Sequence, residues 1–373
     1  MIKKVKNLRI RNQPFLIIPI PFTDELLSSW LIRTAYAHHT HPHPFLNLHF
    51  GDKYRAIFHK NIDVIISDAD IEKISLKTKN KVQVDKLTLK NYQTFLQEKI
   101  IDNGLNKFLC NIRFCPECLT EDKVPFFRTY WKISLYTVCL KHQNFMIDYC
   151  QECGEKIDIS KMYNNKLSFC YCHKCNFDLR KTKKQILDKD LKSYFYLYKK
   201  MHNILYKGYV IFDKYFIYSF YFFDTVFQFY KIFLRYGNIE NIKEYEIFEY
   251  LKIKKLSSSK TIHQQISILE QYSLDCIVMY LFENYPRNLE KYIRENNLNH
   301  WQVVKDMGYT SFWFETLINE ISPKFIPITK FITDKEIENG KKYLIKNNIE
   351  VNKASLSRLL GCNFFSIYNK LNV

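Results

Sequence analysis

Four close pairs of soft metal donors lie between residues 115 and 175: Cys115-Pro-Glu-Cys118, Cys139-Leu-Lys-His142, Cys150-Gln-Glu-Cys153 and Cys172-His-Lys-Cys175. Two residues between donors let one tight turn present both to a single ion. Four such half-sites make two tetrahedral zinc sites, one of three thiolates and an imidazole and one of four thiolates. Sequential pairing joins Cys115 and Cys118 with Cys139 and His142, and Cys150 and Cys153 with Cys172 and Cys175. Each site then closes its own compact loop, which favours this pairing over a cross-braced one. With four protein donors no vertex is left for water, so the expected zinc ions, two in number, are structural and not catalytic. Cys170 stands two residues before Cys172 and is an alternative donor. His173, inside the last pair, reads as a bystander. The N-terminal stretch lacks a secretory pattern, so thiolates are expected rather than disulfides. Cys110, Cys276 and Cys362 sit in apolar surroundings and read as small core residues.

With 373 residues, 47% of them hydrophobic, the chain is long enough for several subdomains. Its formal charge of +18 points to a polyanionic partner, nucleic acid or an anionic membrane. The longest apolar run, Tyr215 to Phe223, is too short to span a bilayer, and a cytoplasmic protein associated with the bacterial nucleoid is expected. Eight glycines in the whole chain argue against a nucleotide-binding loop. Neither clustered carboxylates nor an open metal vertex marks a catalytic site, so the chain reads as no enzyme.

The reading along the chain is mostly α. A basic tail (Lys3, Lys4, Lys6, Arg9, Arg11) precedes an extended strip from Pro14 to Pro21. Thr23 is the expected N-cap of a helix carrying Leu26, Leu27, Trp30 and Leu31 at helical spacing, with Asp24 and Glu25 complementing its dipole. His38-His39-Thr40-His41-Pro42-His43-Pro44 is expected to break that helix in extended geometry, as a solvated end and not a metal site. Residues 71–89, rich in lysine, read as a loop between helices. Phe126, Phe127, Tyr130, Trp131 and Leu135 are bulky enough to dock the metal region on neighbouring helices. From Asp188 to Arg235 the density of Tyr and Phe favours helix packing over base stacking. Residues 252–260 read as a linker, and Leu274–Ile293 and Trp301–Ile318 as helices.

The C-terminus carries a two-helix pattern. Thr333 and Glu336 form a capping box, and Ile337, Tyr343 and Leu344 are expected to face a core. Leu356 and Leu360 face inward from the next helix, Gly361 makes the turn, and Ile367 and Leu371 anchor a second helix. Asn363, Phe365, Ser366, Tyr368, Asn369 and Lys370 then form the outward face of a DNA-recognition helix, with asparagine suited to adenine and lysine to guanine or phosphate. A small bundle used for protein contacts would show the same pattern.

Three blocks resemble the TniQ/TnsD family of transposition target-selection proteins. The first is Pro21-Phe22-Thr23-Asp24-Glu25-Leu26-Leu27-Ser28-Ser29-Trp30-Leu31-Ile32-Arg33. The second is Phe114-Cys115-Pro116-Glu117-Cys118 with Tyr130-Trp131-Lys132 and Val138-Cys139-Leu140-Lys141-His142. The third is Cys150-Gln-Glu-Cys153-Gly154 with its distal pair. Tyr285-Pro286 and Phe312-Trp313-Phe314 are similar more loosely. The resemblance implies a non-catalytic adaptor in DNA recombination that binds double-stranded DNA and recruits an AAA+ ATPase, a TnsC-like regulator. It admits an alternative, a TniQ subunit docked on an RNA-guided CRISPR effector complex with little DNA binding of its own, and a homodimer.

The expected architecture is therefore a multi-subdomain helical protein with a central tandem zinc-ribbon-like region and a C-terminal helix-turn-helix. Its expected segments are a TniQ-type helical region (1–105), the zinc-binding region (106–185), a helical domain (186–325) and the helix-turn-helix (326–373).

Overall fold

The computed structural model describes residues 13–51, 62–90, 112–162, 166, 168–212, 214–236, 267–305, 307, 310–321 and 332–360. Its first helix, α1 (Leu27–Ala37), buries Leu27, Trp30, Leu31 and Ala35, as the helical spacing requires. Its start differs from the sequence expectation. Thr23 is no cap; Leu26 holds the N-cap position without a side-chain hydrogen bond, and Asp24 takes a left-handed backbone at φ 61°. Glu25 is instead turned inward as a buried counter-ion. Its carboxylate accepts Arg33 Nε and Nη2, each at 2.7 Å, and the Phe22 amide at 3.1 Å. A buried carboxylate needs such partners, and supplying them folds the chain sharply before the helix begins.

The histidine–proline run is a shorter break than expected. Helix α2 (Pro42–Phe50) starts on Pro42, where the missing amide hydrogen costs nothing. His38 is fixed between Thr34 O, which Nδ1–H donates to at 2.7 Å, and the Ile17 amide, which donates to Nε2 at 3.2 Å. After the single turn α3 (Ile62–Ile65), helix α4 (Asp68–Lys77) replaces much of the loop expected over 71–89. Ser67 caps it, accepting the Asp70 amide at 3.2 Å, and Ile74 anchors its inner face. Of its two lysines Lys73 is exposed, while Lys77 is buried with its Nζ donating to Gln13 O at 2.7 Å.

Helix α5 (Pro116–Glu121) opens the metal region. Phe127, Trp131 and Leu135 are buried as expected, and this region is pinned on the N-terminal helices by polar contacts. Leu26 N–H donates to Phe127 O at 3.0 Å, and Phe127 N–H to Ser29 Oγ at 3.0 Å. Lys132 Nζ meets Asp63 at 2.7 Å, both side chains buried, and Asp63 also accepts the Ser28 amide and hydroxyl. Every lone pair so used lowers the cost of burying the ion pair.

Beyond the metal region come α6 (Lys189–Ser193), α7 (Phe195–Lys207) and an antiparallel hairpin, β1 (Tyr209–Phe212) with β2 (Tyr215–Tyr218). Tyr209 faces Tyr218 and Phe212 faces Tyr215 across it. Then follow α8 (Ser219–Tyr236), α9 (Ile268–Glu283), α10 (Arg287–Glu295), α11 (His300–Val304) and α12 (Phe312–Ile321). The expected helices 274–293 and 301–318 are thus each two helices, the first divided next to Pro286. Aromatics fill this half as core: Tyr198, Phe222, Phe229 and Tyr230 are fully buried. Buried residues from Phe15 to Ile318 form one hydrophobic cluster. Helices α13 (Asp334–Lys346) and α14 (Lys353–Leu360) carry a second, small one made of Ile332, Ile337, Leu344 and Leu356. Tyr343, expected inside, is exposed, because α13 turns only a narrow stripe to α14. Among the described residues no helix is long and apolar enough to cross a membrane.

Candidate metal centres

Three of the four donor pairs are built the same way. After Cys139 and His142 the chain closes with Gln143 N–H on Cys139 O at 2.7 Å. Gly154 N–H closes on Cys150 O at 2.8 Å, and Asn176 N–H on Cys172 O at 3.0 Å. Gln143, Gly154 and Asn176 all have left-handed backbones, φ 55°, 69° and 58°. That conformation is cheap for Gly and tolerable for Asn, and it reverses the chain just after the second donor. Short antiparallel bridges flank each turn: Val138 with Phe145, Tyr149 with Lys156, and Tyr171 with Asp178. The first pair differs. Cys115 is the N-cap of α5 and Cys118 lies one turn on, so helix geometry brings those two thiols together.

The eight donors converge as two groups, Cys115, Cys118, Cys139 and His142, and Cys150, Cys153, Cys172 and Cys175. Sequential pairing is therefore what the fold adopts. Within the first group Cys118 Sγ and Cys139 Sγ are 3.7 Å apart. His142 Nδ1 stands 3.3, 3.4 and 3.6 Å from Cys115, Cys118 and Cys139. In the second, Cys150 and Cys175 are 3.6 Å apart and Cys153 and Cys172 3.8 Å. A disulfide would bring sulfurs to about 2.05 Å. A tetrahedron with metal–sulfur arms of about 2.3 Å and metal–nitrogen arms of about 2.0 Å has edges of roughly 3.5–3.8 Å. The donor spacing fits zinc, and both groups could bind one.

Electrostatics agree. Hydrogen bonds to Cys115 and Cys139, together with burial, push the Cys118 thiol far up, while hydrogen bonds from Cys115 and Cys118 hold Cys139 low. One thiolate is thus stabilised at the expense of its neighbours, and a divalent cation is what lets all three ionise together. Cys170 is buried beside Ser168, whose hydroxyl accepts its amide at 3.2 Å, and belongs to neither group. His173 also stays outside them.

A contact that the spacing of donors does not announce is Glu121. Its Oε1 lies 3.1 Å from His142 Nε2, the ring atom facing away from the thiols, and its other oxygen pairs with Lys141. Carboxylates in this position fix the tautomer and orientation of a metal-binding histidine. The signal was an acid three residues past Cys118, one helical turn along α5.

At the C-terminus the capping box forms: Thr333 Oγ1 accepts the Glu336 amide at 3.3 Å and Glu336 accepts the Thr333 amide at 2.8 Å. Leu356 is buried between α13 and α14, with Leu360 packed beside it. Asn363, Phe365, Ser366, Tyr368, Asn369 and Lys370, with Gly361, Cys362, Ile367 and Leu371, lie outside the described residues, as do Cys110 and residues 252–260.

The molecule is thus a largely helical protein with two four-donor groups at its centre, each able to hold one metal ion. The TniQ family model matches residues 16–146, so the chain carries a TniQ domain, which indicates a transposition-associated role. That match takes in all four donors of the first group and ends just before Cys150. No curated protein matches the chain.

Proposed function

We propose that this chain is a target-site selection adaptor for a transposon, which binds double-stranded DNA and recruits an AAA+ regulator of the TnsC type. Two structural zinc ions sit on Cys115, Cys118, Cys139 and His142, and on Cys150, Cys153, Cys172 and Cys175. Each set of four donors closes its ion, so the metal supplies folding energy and chemistry belongs to partners. The observation that carries the reading is the TniQ match over residues 16–146 with a closed metal knot inside it. The net charge of +18 supports a nucleic-acid partner. In this reading α14 is the first helix of a helix-turn-helix, and Asn363, Phe365, Ser366, Tyr368, Asn369 and Lys370 face the major groove from the second.

Duplex binding by the purified chain, measured against salt, tests this. A direct binder shows a steep fall of affinity with salt, about 0.9 in log–log slope per contacted phosphate. Asn369→Ala with Lys370→Ala should weaken duplex binding at least about tenfold while the melting curve stays put. A chain that ignores duplex DNA but is captured by an RNA-guided effector complex would replace direct recognition with docking.

A further inference from the structure

A cleft of about 770 Å³ opens where three separate segments meet: residues 21–24 before α1, residues 80–88 after α4, and the end of α7. That volume lies within the range of ligand sites, about 300–1,000 Å³. Its lining is not that of an apolar pocket. Lys81 and Lys86 stand exposed on one wall with the amides of Asn80 and Gln83, and they outnumber the one acid in the lining, Asp24. Two aromatic residues belong to the same lining. Tyr206 is 49% exposed at the end of α7. Phe22 is held flat, stacked on Phe126 at 4.7 Å and capped by the Arg33 guanidinium at 4.2 Å. Asp24 and Asn80, on facing segments, both hold left-handed backbones at φ 61° and 57°.

Cations, amide donors and the half-exposed Tyr206 ring in one groove match an unpaired nucleic-acid strand: phosphates want the lysines, base edges the amides, and a base a flat ring. An isolated phosphate would leave Tyr206 without a role, and an apolar ligand would leave the lysines without one. A duplex keeps its bases stacked inward, out of reach of Tyr206. We propose that this cleft binds a single strand of nucleic acid, with its phosphates on Lys81 and Lys86 and a base stacked on Tyr206. This activity is separate from duplex recognition by the C-terminal helices.

Fluorescence anisotropy on the full chain tests the proposal, using a labelled oligothymidine and a duplex of equal length. The wild-type chain should bind the single strand. Lys81→Ala with Lys86→Ala should weaken that binding at least about tenfold and lower its log–log salt slope by about 1.4, at roughly 0.7 per phosphate. Tyr206→Ala should weaken the single strand by a similar factor and leave the duplex unchanged, whereas Tyr206→Phe, which keeps the ring, should bind as wild type. These side chains stand at the surface, so unchanged thermal melting confirms that each variant folds. No single-strand binding by the wild type, unaltered affinity in the lysine variant, or equal losses on single strand and duplex in Tyr206→Ala would each overturn it.

Discussion

Asp275 shows how far one buried side chain can set the pH response of the whole fold. It sits wholly inside the protein on α9, where the Tyr230 hydroxyl donates to Oδ1 and Gln271 Nε2 donates to the same oxygen at 3.2 Å. Oδ2 has no hydrogen-bond partner. Burial outweighs these donors and raises its carboxyl from 3.8 to about 7. The sign follows from proton linkage: the folded chain keeps a proton that the unfolded chain has released. Asp275 therefore favours the fold fully below about pH 4, and that contribution is lost as pH climbs to about 7. Asp275→Asn keeps an acceptor for Tyr230 and cannot ionise. The wild type should lose melting temperature between pH 5 and 8 relative to this variant, whose curve should run flatter; parallel curves would show that Asp275 is already ionised in the fold. Glu121 makes a different prediction. Glu121→Ala leaves the four donors intact but frees the His142 ring, so competition with a chelator should show zinc affinity at the first site falling about 10–100-fold while the second site holds its ion as before.

At the scale of elements, α13 and α14 are the pair most easily read and most easily broken. Their core is four side chains, Ile332, Ile337, Leu344 and Leu356, and Gly340 lets the helices meet. A methyl added at Gly340 would stand 3.0 Å from Leu356 Cδ2 and 3.4 Å from Leu360 Cδ2. Gly340→Val should therefore force the pair apart and cost about 1–3 kcal/mol in this unit. Hydrogen exchange should show it as lost protection in α13 and α14 with α7 and α9 unchanged; unaltered protection in α13 would mean that the side chains of α14 give way instead. The capping box here was legible because Thr333 and Glu336 stand three residues apart and satisfy each other. Thr23 also read as an N-cap, but the outcome there rests on Glu25 finding Arg33 eight residues away, which no local pattern states. The β1–β2 hairpin was hidden for another reason. With Ile217 buried and Phe216 and Tyr218 about half exposed, both faces of β2 are apolar, so the alternation that marks a strand is missing. The metal knots were legible down to their pairing because donor type and spacing are chemistry, not propensity; Glu121 was not, since an acid on a helix surface is ordinary until its neighbour is known.

Over the whole molecule the two metal knots occupy unequal positions, and this determines what each one holds together. Cys115, Cys118 and Cys139 are buried within the main hydrophobic cluster, and the chain around them is gripped from both sides. Tyr198 of α7 receives the amides of Thr137 and Val138 at 2.8 and 2.9 Å, and the Lys132–Asp63 pair ties the same stretch to α3. In the second group Cys150 and Cys172 are buried in the same cluster, but Cys175 is exposed and Cys153 half-buried. If each knot holds one zinc, then losing the inner ion removes the support common to the N-terminal helices and α7, whereas losing the outer ion loosens its own loop. Structural zinc sites contribute roughly 10–16 kcal/mol in isolated peptides, as much as the whole margin of roughly 5–15 kcal/mol that holds a typical domain folded. Cys118→Ser should therefore abolish cooperative melting and reduce bound zinc to one ion per chain or fewer. Cys175→Ser should also release about one ion yet keep a cooperative transition at a slightly lower temperature. A graded chelator should likewise remove zinc in two steps, with helical circular dichroism preserved through the first and lost in the second. One concerted step, or equal damage from both substitutions, would mean that the outer knot supports the core as much as the inner one does.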